Sequence, residues 1–132
     1  LAQQRRDRRK LFYTSSHHPV QLRMLKEGLQ YHAFLSHVWK TGQDQARILK
    51  HRLIEALPEI RVFLDIDDMK MGTGREYLDV SQTIVILCTA GYFDSKNCMR
   101  ELLRAVISGK DIVALVESEA IHGAMSREQI KA

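Results

Sequence analysis

The apolar residues in the middle of the chain come in short continuous runs. Four such runs predict strands: 31–36 (YHAFLS), 61–65 (RVFLD), 83–88 (TIVILC) and 112–116 (IVALV). Runs that are apolar at successive positions, rather than at every second one, are typical of parallel strands covered on both faces.

Between these runs, apolar residues recur at helical spacing. One helix is predicted to open at Gly42-Gln43-Asp44 and to end at Pro58, and a second is predicted over 98–108 with Gly109 as its C-terminal stop. Strands that alternate with helices predict an α/β fold. The apolar side of the first helix consists of Ala46, Leu49, Leu53 and Leu57, and that of the second of Leu102, Leu103, Val106 and Ile107.

Two further segments carry weaker helical signals. Residues 19–30 have leucines at helical spacing and predict one short helix at the edge of the core. Only eight residues lie between Gly74 and Thr83, so a helix in that interval must be short or distorted.

Length and charge define the domain organisation. The 132 residues suit one domain, and 45% hydrophobic with 27% charged residues is a globular composition. The positive charge is concentrated in residues 1–30, which hold seven Lys or Arg against two Asp or Glu, whereas residues 31–132 hold thirteen against fourteen and bring the total to +4. We therefore divide the chain into a basic flexible linker (1–18), the short helix (19–30) and the domain itself (31–132).

The partners and the compartment follow from the same composition. The basic linker lacks interleaved aromatic residues, so nucleic acid is not expected as the main partner. The longest uncharged run, 80–93, is shorter than the ~20 apolar residues of a membrane span. The chain starts with Leu and shows no secretory leader, so we expect an excised piece of a cytoplasmic protein.

Cysteine and histidine give no metal-binding pattern. Cys88 and Cys98 fit no zinc spacing and no disulfide framework, and buried thiols are expected. The six histidines are scattered and form no His-Glu-x-x-His motif. We predict no metal and no cofactor.

Three carboxylates follow the second predicted strand: Asp65, Asp67 and Asp68. Such a group at a strand end suits Mg²⁺, and Asp65-Ile66-Asp67 resembles the Asp-x-Asp of haloacid-dehalogenase-like phosphatases. Asp68 and Met69 then depart from that family's pattern, so solvated acids at a strand end are the favoured interpretation. The phosphatase is the least favoured function considered.

Glu101 stands out because the predicted helix over 98–108 places it in the first turn, opposite the Leu102 and Val106 side. It then faces solvent or a cleft. A purely structural role is the alternative, since an acid near a helix N-terminus stabilises the helix by about 0.3–1 kcal/mol.

Several segments together resemble the TIR domain of Toll-like receptors, plant resistance proteins and bacterial defence proteins. They are 32–37 (HAFLSH), the helix opening at 42–44, 62–68 (VFLDIDD) ahead of a glycine, 91–102 (GYFDSKNCMREL) and 109–113 (GKDIV). The segments occur in the family's order and cover residues 31–116.

This resemblance implies a flavodoxin-like open parallel sheet with helices on both faces, of which four strands are visible and the fifth is missing. In many members a glutamate of the Cys-x-x-Glu segment, here Glu101, hydrolyses the nicotinamide–ribose bond of NAD⁺. The implied substrate-binding residues are Ser36, His37, Trp39, Lys40 and Asp65. The implied interaction loop contains Asp67, Asp68, Met69, Met71 and Gly72, and it pairs the domain with other TIR domains in a homo-oligomer.

Two functions therefore remain open. The first is a TIR-type NAD⁺ glycohydrolase of a signalling or defence protein, with NAD⁺ as substrate. The second is a non-catalytic scaffold that acts through homotypic TIR contacts. Val38 stands where many members have Arg, which leaves Lys40 as the nearby cation for phosphate contacts.

Overall fold

A computed structural model of the protein describes residues 11–64 and 74–116. The strands are β1 (Tyr31–Ser36), β2 (Val62–Phe63), β3 (Ser81–Cys88) and β4 (Asp111–Val116). The helices are α1 (Trp39–Ala56), α2 (Gly74–Asp79) and α3 (Lys96–Ile107), and a 3₁₀ helix, Tyr92–Asp94, precedes α3.

The four strands form one parallel sheet in the order β2-β1-β3-β4. In the central pair, Tyr31 lies opposite Ser81 and Ser36 opposite Ile86. Buried clusters on the two faces of the sheet contain residues of α1 on one side and of α2 and α3 on the other. The predicted α/β class, a flavodoxin-like open parallel sheet with helices on both faces, is confirmed.

The face under α2 and α3 is organised by aromatic rings. Phe63 is fully buried, and its ring centroid lies 5.1 Å from Phe34, 4.4 Å from Tyr77 and 5.5 Å from Tyr31. Each such pair stabilises the fold by about 0.5–1.5 kcal/mol beyond the stabilisation that comes from burying the ring surfaces. Since β2 is two residues long, this packing rather than a long hydrogen-bond ladder holds it beside β1.

The helices begin earlier than predicted. The first helix starts at Trp39 rather than at Gly42, because the amide of Gly42 already donates to the carbonyl of Val38 at 2.7 Å. The helix after β3 starts at Lys96 rather than at position 98, because the Ser95 hydroxyl accepts from the amide of Cys98 and caps the helix. Helix α2 has six residues, which confirms the expectation of a short helix.

The predicted apolar side of α3 is wrong. Leu102 packs on the core, whereas Leu103, Val106 and Ile107 are exposed. The buried side consists instead of Cys98 and Ala105 with Leu102, a set at positions i, i+4 and i+7. Small side chains at two of these positions let the helix lie close to the sheet. A prediction based on large aliphatic residues does not recognise such a side.

The helix predicted over 19–30 is absent. The amide of Val20 donates to the carbonyl of Leu11 and that of Gln30 to the carbonyl of Val80, so both ends of this segment bond to other parts of the chain. Residues 11–18, assigned to the flexible linker, also make defined contacts, because the Leu11 amide donates to Ala56 at the end of α1. Residues 1–10 lie outside the described part.

Strand β4 forms one edge of the sheet, and all six of its residues are exposed. The expectation that this strand is covered on both faces is therefore wrong. No fifth strand occurs within 11–64 and 74–116, and residues 117–132 lie outside the described part. Among the described helices, none combines the length and the apolarity needed to cross a bilayer.

Helices α2 and α3 are joined by an ion pair between Asp79 and Arg104. Both guanidinium contacts to the carboxylate measure 2.6 Å, and the hydrogen bond to Arg104 holds the pKa of Asp79 below its ordinary value of 3.8. A depressed pKa in the folded state means that the pair stabilises the fold above pH 3.8 and that this contribution is lost as the carboxylate becomes protonated at lower pH.

We expect Asp79→Asn to lower Tm by about 2–4 °C at pH 7, a modest effect because both side chains are 42% exposed. The difference from wild type should vanish as the pH falls through the acid range below 3.8. Thermal unfolding followed by circular dichroism between pH 2 and 7 measures it, with Asp44→Asn on α1 as control. A Tm difference that is the same at both ends of the range would contradict this account.

Candidate functional site

A cavity of about 900 Å³ opens at the carboxyl end of β1. Ligands of open parallel sheets bind where the strand order reverses, and here that point lies between β1 and β3. The described lining residues come from β1 and the loop after it, from the starts of α1 and α2, and from the first half of α3. They are Phe34, His37, Val38, Trp39, Lys40, Gly74, Arg75, Ser95, Asn97, Cys98, Arg100 and Glu101.

The loop after β1 is held against the end of β3. The Thr41 hydroxyl lies 2.8 Å from the Thr89 hydroxyl and donates to the carbonyl of Ala90 at 2.8 Å. Gly42 allows this close approach, because a Cβ at that position would lie 3.2 Å from the Thr89 hydroxyl. The start of α1, and with it Lys40, is therefore fixed relative to β3.

Three predicted binding residues, one in the loop after β1 and two at the start of α1, line the cavity together. His37 is buried, whereas Trp39 and Lys40 are exposed, with Trp39 at 56%. A half-exposed indole beside a lysine offers both an apolar face and a positive charge to a ligand.

Ser36 does not line this cavity. Its side chain is buried, and its hydroxyl lies 2.7 Å from the Tyr92 hydroxyl, itself fully buried. The bond joins the end of β1 to the 3₁₀ helix that leads into α3. Gly91 begins that 3₁₀ helix at φ +86°, a conformation that favours glycine. Within the described residues, Ser36 thus connects β1 to the segment that precedes α3.

Glu101 lines the cavity in the second turn of α3, not in the first turn as predicted, because the helix begins at Lys96. Helix-dipole stabilisation falls off within the first turn, so the structural alternative for this acid is weakened. Glu101 is half-buried and lies on the flank of the side of α3 that carries Cys98 and Ala105.

The charge of Glu101 acts on Tyr92. Burial raises the pKa of Tyr92 far above its ordinary value of 10.0, and the Glu101 carboxylate acts in the same direction, while the hydrogen bond with Ser36 lowers it. Tyr92 therefore stays a neutral phenol, hydrogen-bonded to Ser36.

Asn97, Cys98, Arg100 and Arg75 line the cavity but were not predicted. The first three flank Glu101 in the 91–102 segment, so their place in that motif was the available signal. Arg75 has no such signal, because only the packing of α2 brings it to the cavity. The predicted residues Asp65, Asp67, Asp68, Met69, Met71 and Gly72 lie outside the described residues.

Within the described ranges, no cluster of three His, Cys, Asp or Glu side chains suits a metal ion. Cys88 and Cys98 are both buried and form no disulfide, as expected, and burial raises the pKa of the Cys88 thiol. Cys88 is therefore not a reactive thiolate.

Comparison with solved structures finds a likeness to the TIR domain of the Toll-related receptor TRR-2 from the lower metazoan Hydra magnipapillata. The TM-score is 0.52 and the sequence identity 16%, with 74% of this chain and 82% of that chain covered. No protein-family model and no curated protein sequence matches the chain. The likeness shows that this chain has a TIR-like fold.

The Ser36–Tyr92 bond generates a prediction for stability. Ser36→Ala and Tyr92→Phe each leave one buried hydroxyl without its partner, so each should lower the free energy of unfolding by about 1–3 kcal/mol. The double variant should lose less than the sum, because it removes both hydroxyls together. Urea unfolding of the four proteins measures the coupling, and additive losses would show that the bond contributes nothing.

Proposed function

We propose that the chain is a TIR-type NAD⁺ glycohydrolase that cleaves the nicotinamide–ribose bond in a signalling or defence protein. The observation that carries the proposal is Glu101, the only acidic residue among the described residues that line the cavity. Trp39, His37 and Lys40 share this cavity, which gives the acid a place where a ligand can bind.

The chemistry suits one carboxylate. The bond between C1′ and the pyridinium nitrogen breaks, and its electron pair neutralises the nitrogen, so nicotinamide leaves uncharged and needs no acid. Water then adds to C1′ and loses a proton, which yields ADP-ribose. The Glu101 carboxylate would stabilise the positive charge that develops on the ribose in the transition state.

Other cavity residues would hold the two ends of the substrate. The exposed indole of Trp39 offers a stacking surface for the nicotinamide or the adenine ring. The buried ring of His37 would close the inner wall behind it. The Ser36–Tyr92 bond would keep β1 and α3 in register, so that Glu101 stays opposite the loop that carries Trp39.

The central test replaces Glu101 with Gln, which keeps the side-chain size and removes the charge. Nicotinamide release, followed by chromatography, should fall by about 100-fold or more, because transition-state stabilisation is lost. The free energy of unfolding should change by less than about 0.5 kcal/mol, since Glu101 is only half-buried.

Glu59→Gln, an exposed position after α1 that does not line the cavity, is the matched control and should keep full activity. If wild type releases nicotinamide and Glu101→Gln does so at the same rate, Glu101 is not the catalytic residue. An active wild type that loses hydrolysis on chelation would instead favour a metal site.

A second candidate function is homotypic assembly with other TIR domains. The Hydra structure is the TIR domain of a receptor, which agrees with a role in signalling. The specific observation in this chain is the exposed edge strand β4, in which Ile112, Val113, Leu115 and Val116 are each at least 37% exposed. An apolar edge strand exposes both side chains and backbone pairing groups to a partner.

Next to β4 lies a second, mostly apolar cavity of about 560 Å³. It is bounded by Leu49 and Leu53 of α1, by Val85 of β3 and by Val113 and Leu115 of β4. On the opposite side of the strand, α3 exposes its unpacked apolar residues. A second copy of the chain that covers β4 would bury apolar surface on both sides of the edge.

If this surface mediates assembly, Val113→Lys should shift the chain from dimers or larger species to monomer, because a lysine at the edge opposes strand pairing. Sedimentation velocity across a concentration series measures this, and activity per molecule should rise with concentration in wild type only. Ile48→Lys on α1, also an exposed apolar position, is the control. A wild type that stays monomeric at all concentrations excludes homotypic assembly of the chain alone.

A further inference from the structure

Three cations surround the cavity that contains Glu101. Lys40 lies in α1, Arg75 in α2 and Arg100 in α3, so each comes from a different element. Against them, the described lining residues include one acid, Glu101. The described wall of the cavity therefore carries an excess of positive charge in addition to its proposed catalytic group.

The two arginines lie near the ion pair that joins α2 to α3. Arg75 lies four residues before Asp79, and Arg100 lies four residues before Arg104, so each is one helical turn ahead of a member of that pair. Both arginines line the cavity, so these two neighbouring helices each contribute one arginine to its wall.

Of the two acids in α2, Glu76 and Asp79, Asp79 is bound by Arg104. Both carboxylate oxygens of Asp79 accept bonds of 2.6 Å from Arg104, whose hydrogen bond is the main cause of the lowered pKa of Asp79, while Arg75 acts on it only through its charge. Arg75 and Arg100 are both exposed at the cavity. An incoming anion can therefore reach both side chains from solvent.

Phosphate oxygens are the anions that this arrangement suits best. A guanidinium group forms two parallel hydrogen bonds with a phosphate and stays charged at every physiological pH. Two guanidinium groups with a lysine nearby match a ligand that carries two adjacent negative charges, which a diphosphate has and a nucleoside lacks.

We propose that Arg75 and Arg100, assisted by Lys40, bind the diphosphate of a dinucleotide in this cavity and so select diphosphate-containing ligands over uncharged nucleosides. The proposal rests on the proposed function for the identity of the ligand, but the binding itself does not require catalysis. The two arginines also supply positive charge to a cavity that has no cation at position 38, although both lie far from that position in the sequence.

The test measures binding separately from turnover. In the full 132-residue chain carrying Glu101→Gln, titration calorimetry gives Kd for ADP-ribose and for adenosine, with Arg75→Gln, Arg100→Gln or both added. Each single change should raise Kd for ADP-ribose about tenfold or more, and the double change further, as expected for lost charge-assisted bonds. Kd for adenosine should stay the same.

Arg47→Gln, an exposed arginine of α1 that does not line the cavity, controls for the loss of one positive charge from the molecule. It should leave both Kd values unchanged, and thermal unfolding should show that all variants fold. In the chain with Glu101 intact, the two cavity variants should raise KM for NAD⁺ more than they lower kcat. This is the expected result when a lost contact binds the substrate and the transition state equally.

The outcomes separate this proposal from the proposed function. If ADP-ribose binds equally well to the double variant, or does not bind to the parent chain at all, the diphosphate site is wrong even if NAD⁺ is hydrolysed. If NAD⁺ is not hydrolysed but the arginine variants lose ADP-ribose selectively, the diphosphate site stands and the hydrolase does not. If Arg47→Gln raises Kd for ADP-ribose equally, the effect comes from the overall charge of the molecule, and the proposal is also overturned.

Discussion

The ring of Phe63 is the constraint on which the rest of the structure depends. It joins β1, β2 and α2 through Tyr31, Phe34 and Tyr77, while the other face of the two-residue strand β2 packs through Val62 and Leu64, the neighbours of Phe63. Tyr77 lies two residues after Arg75, so the same packing that places β2 also places a cation at the cavity. Core and site are therefore not separate features of this chain.

Two polar links extend this frame to the site. One joins Thr41 to Thr89 and the other joins Ser36 to Tyr92, and both connect the end of β1 or its loop to the segment after β3. Because both hydrogen bonds lie in buried or half-buried positions, they restrict the movement of β1 along β3. The walls of the cavity are thus set by the sheet before any ligand arrives.

The sequence predicted those parts whose signal is local. The apolar runs gave four strands, and the 91–102 segment placed Glu101 and its neighbours at one helix start. The prediction from sequence failed where two sides of a helix both carry apolar residues. In α3 the small Cys98 and Ala105 are buried, whereas the larger side chains are exposed, namely Leu103, Val106 and Ile107. The prediction also missed Arg75, whose arrival at the cavity depends on helix packing that no short motif encodes.

The order of the strands has a consequence for how the chain reaches this structure. The central strands β1 and β3 pair Tyr31 with Ser81, so about fifty residues must be gathered before the middle of the sheet can close. Such high contact order slows folding. The pairing of β3 with β4 is more local, since Thr83 lies opposite Asp111. During this delay an apolar edge is open to other unfinished chains, so the yield of folded protein should depend on how dilute the chain is kept while it folds.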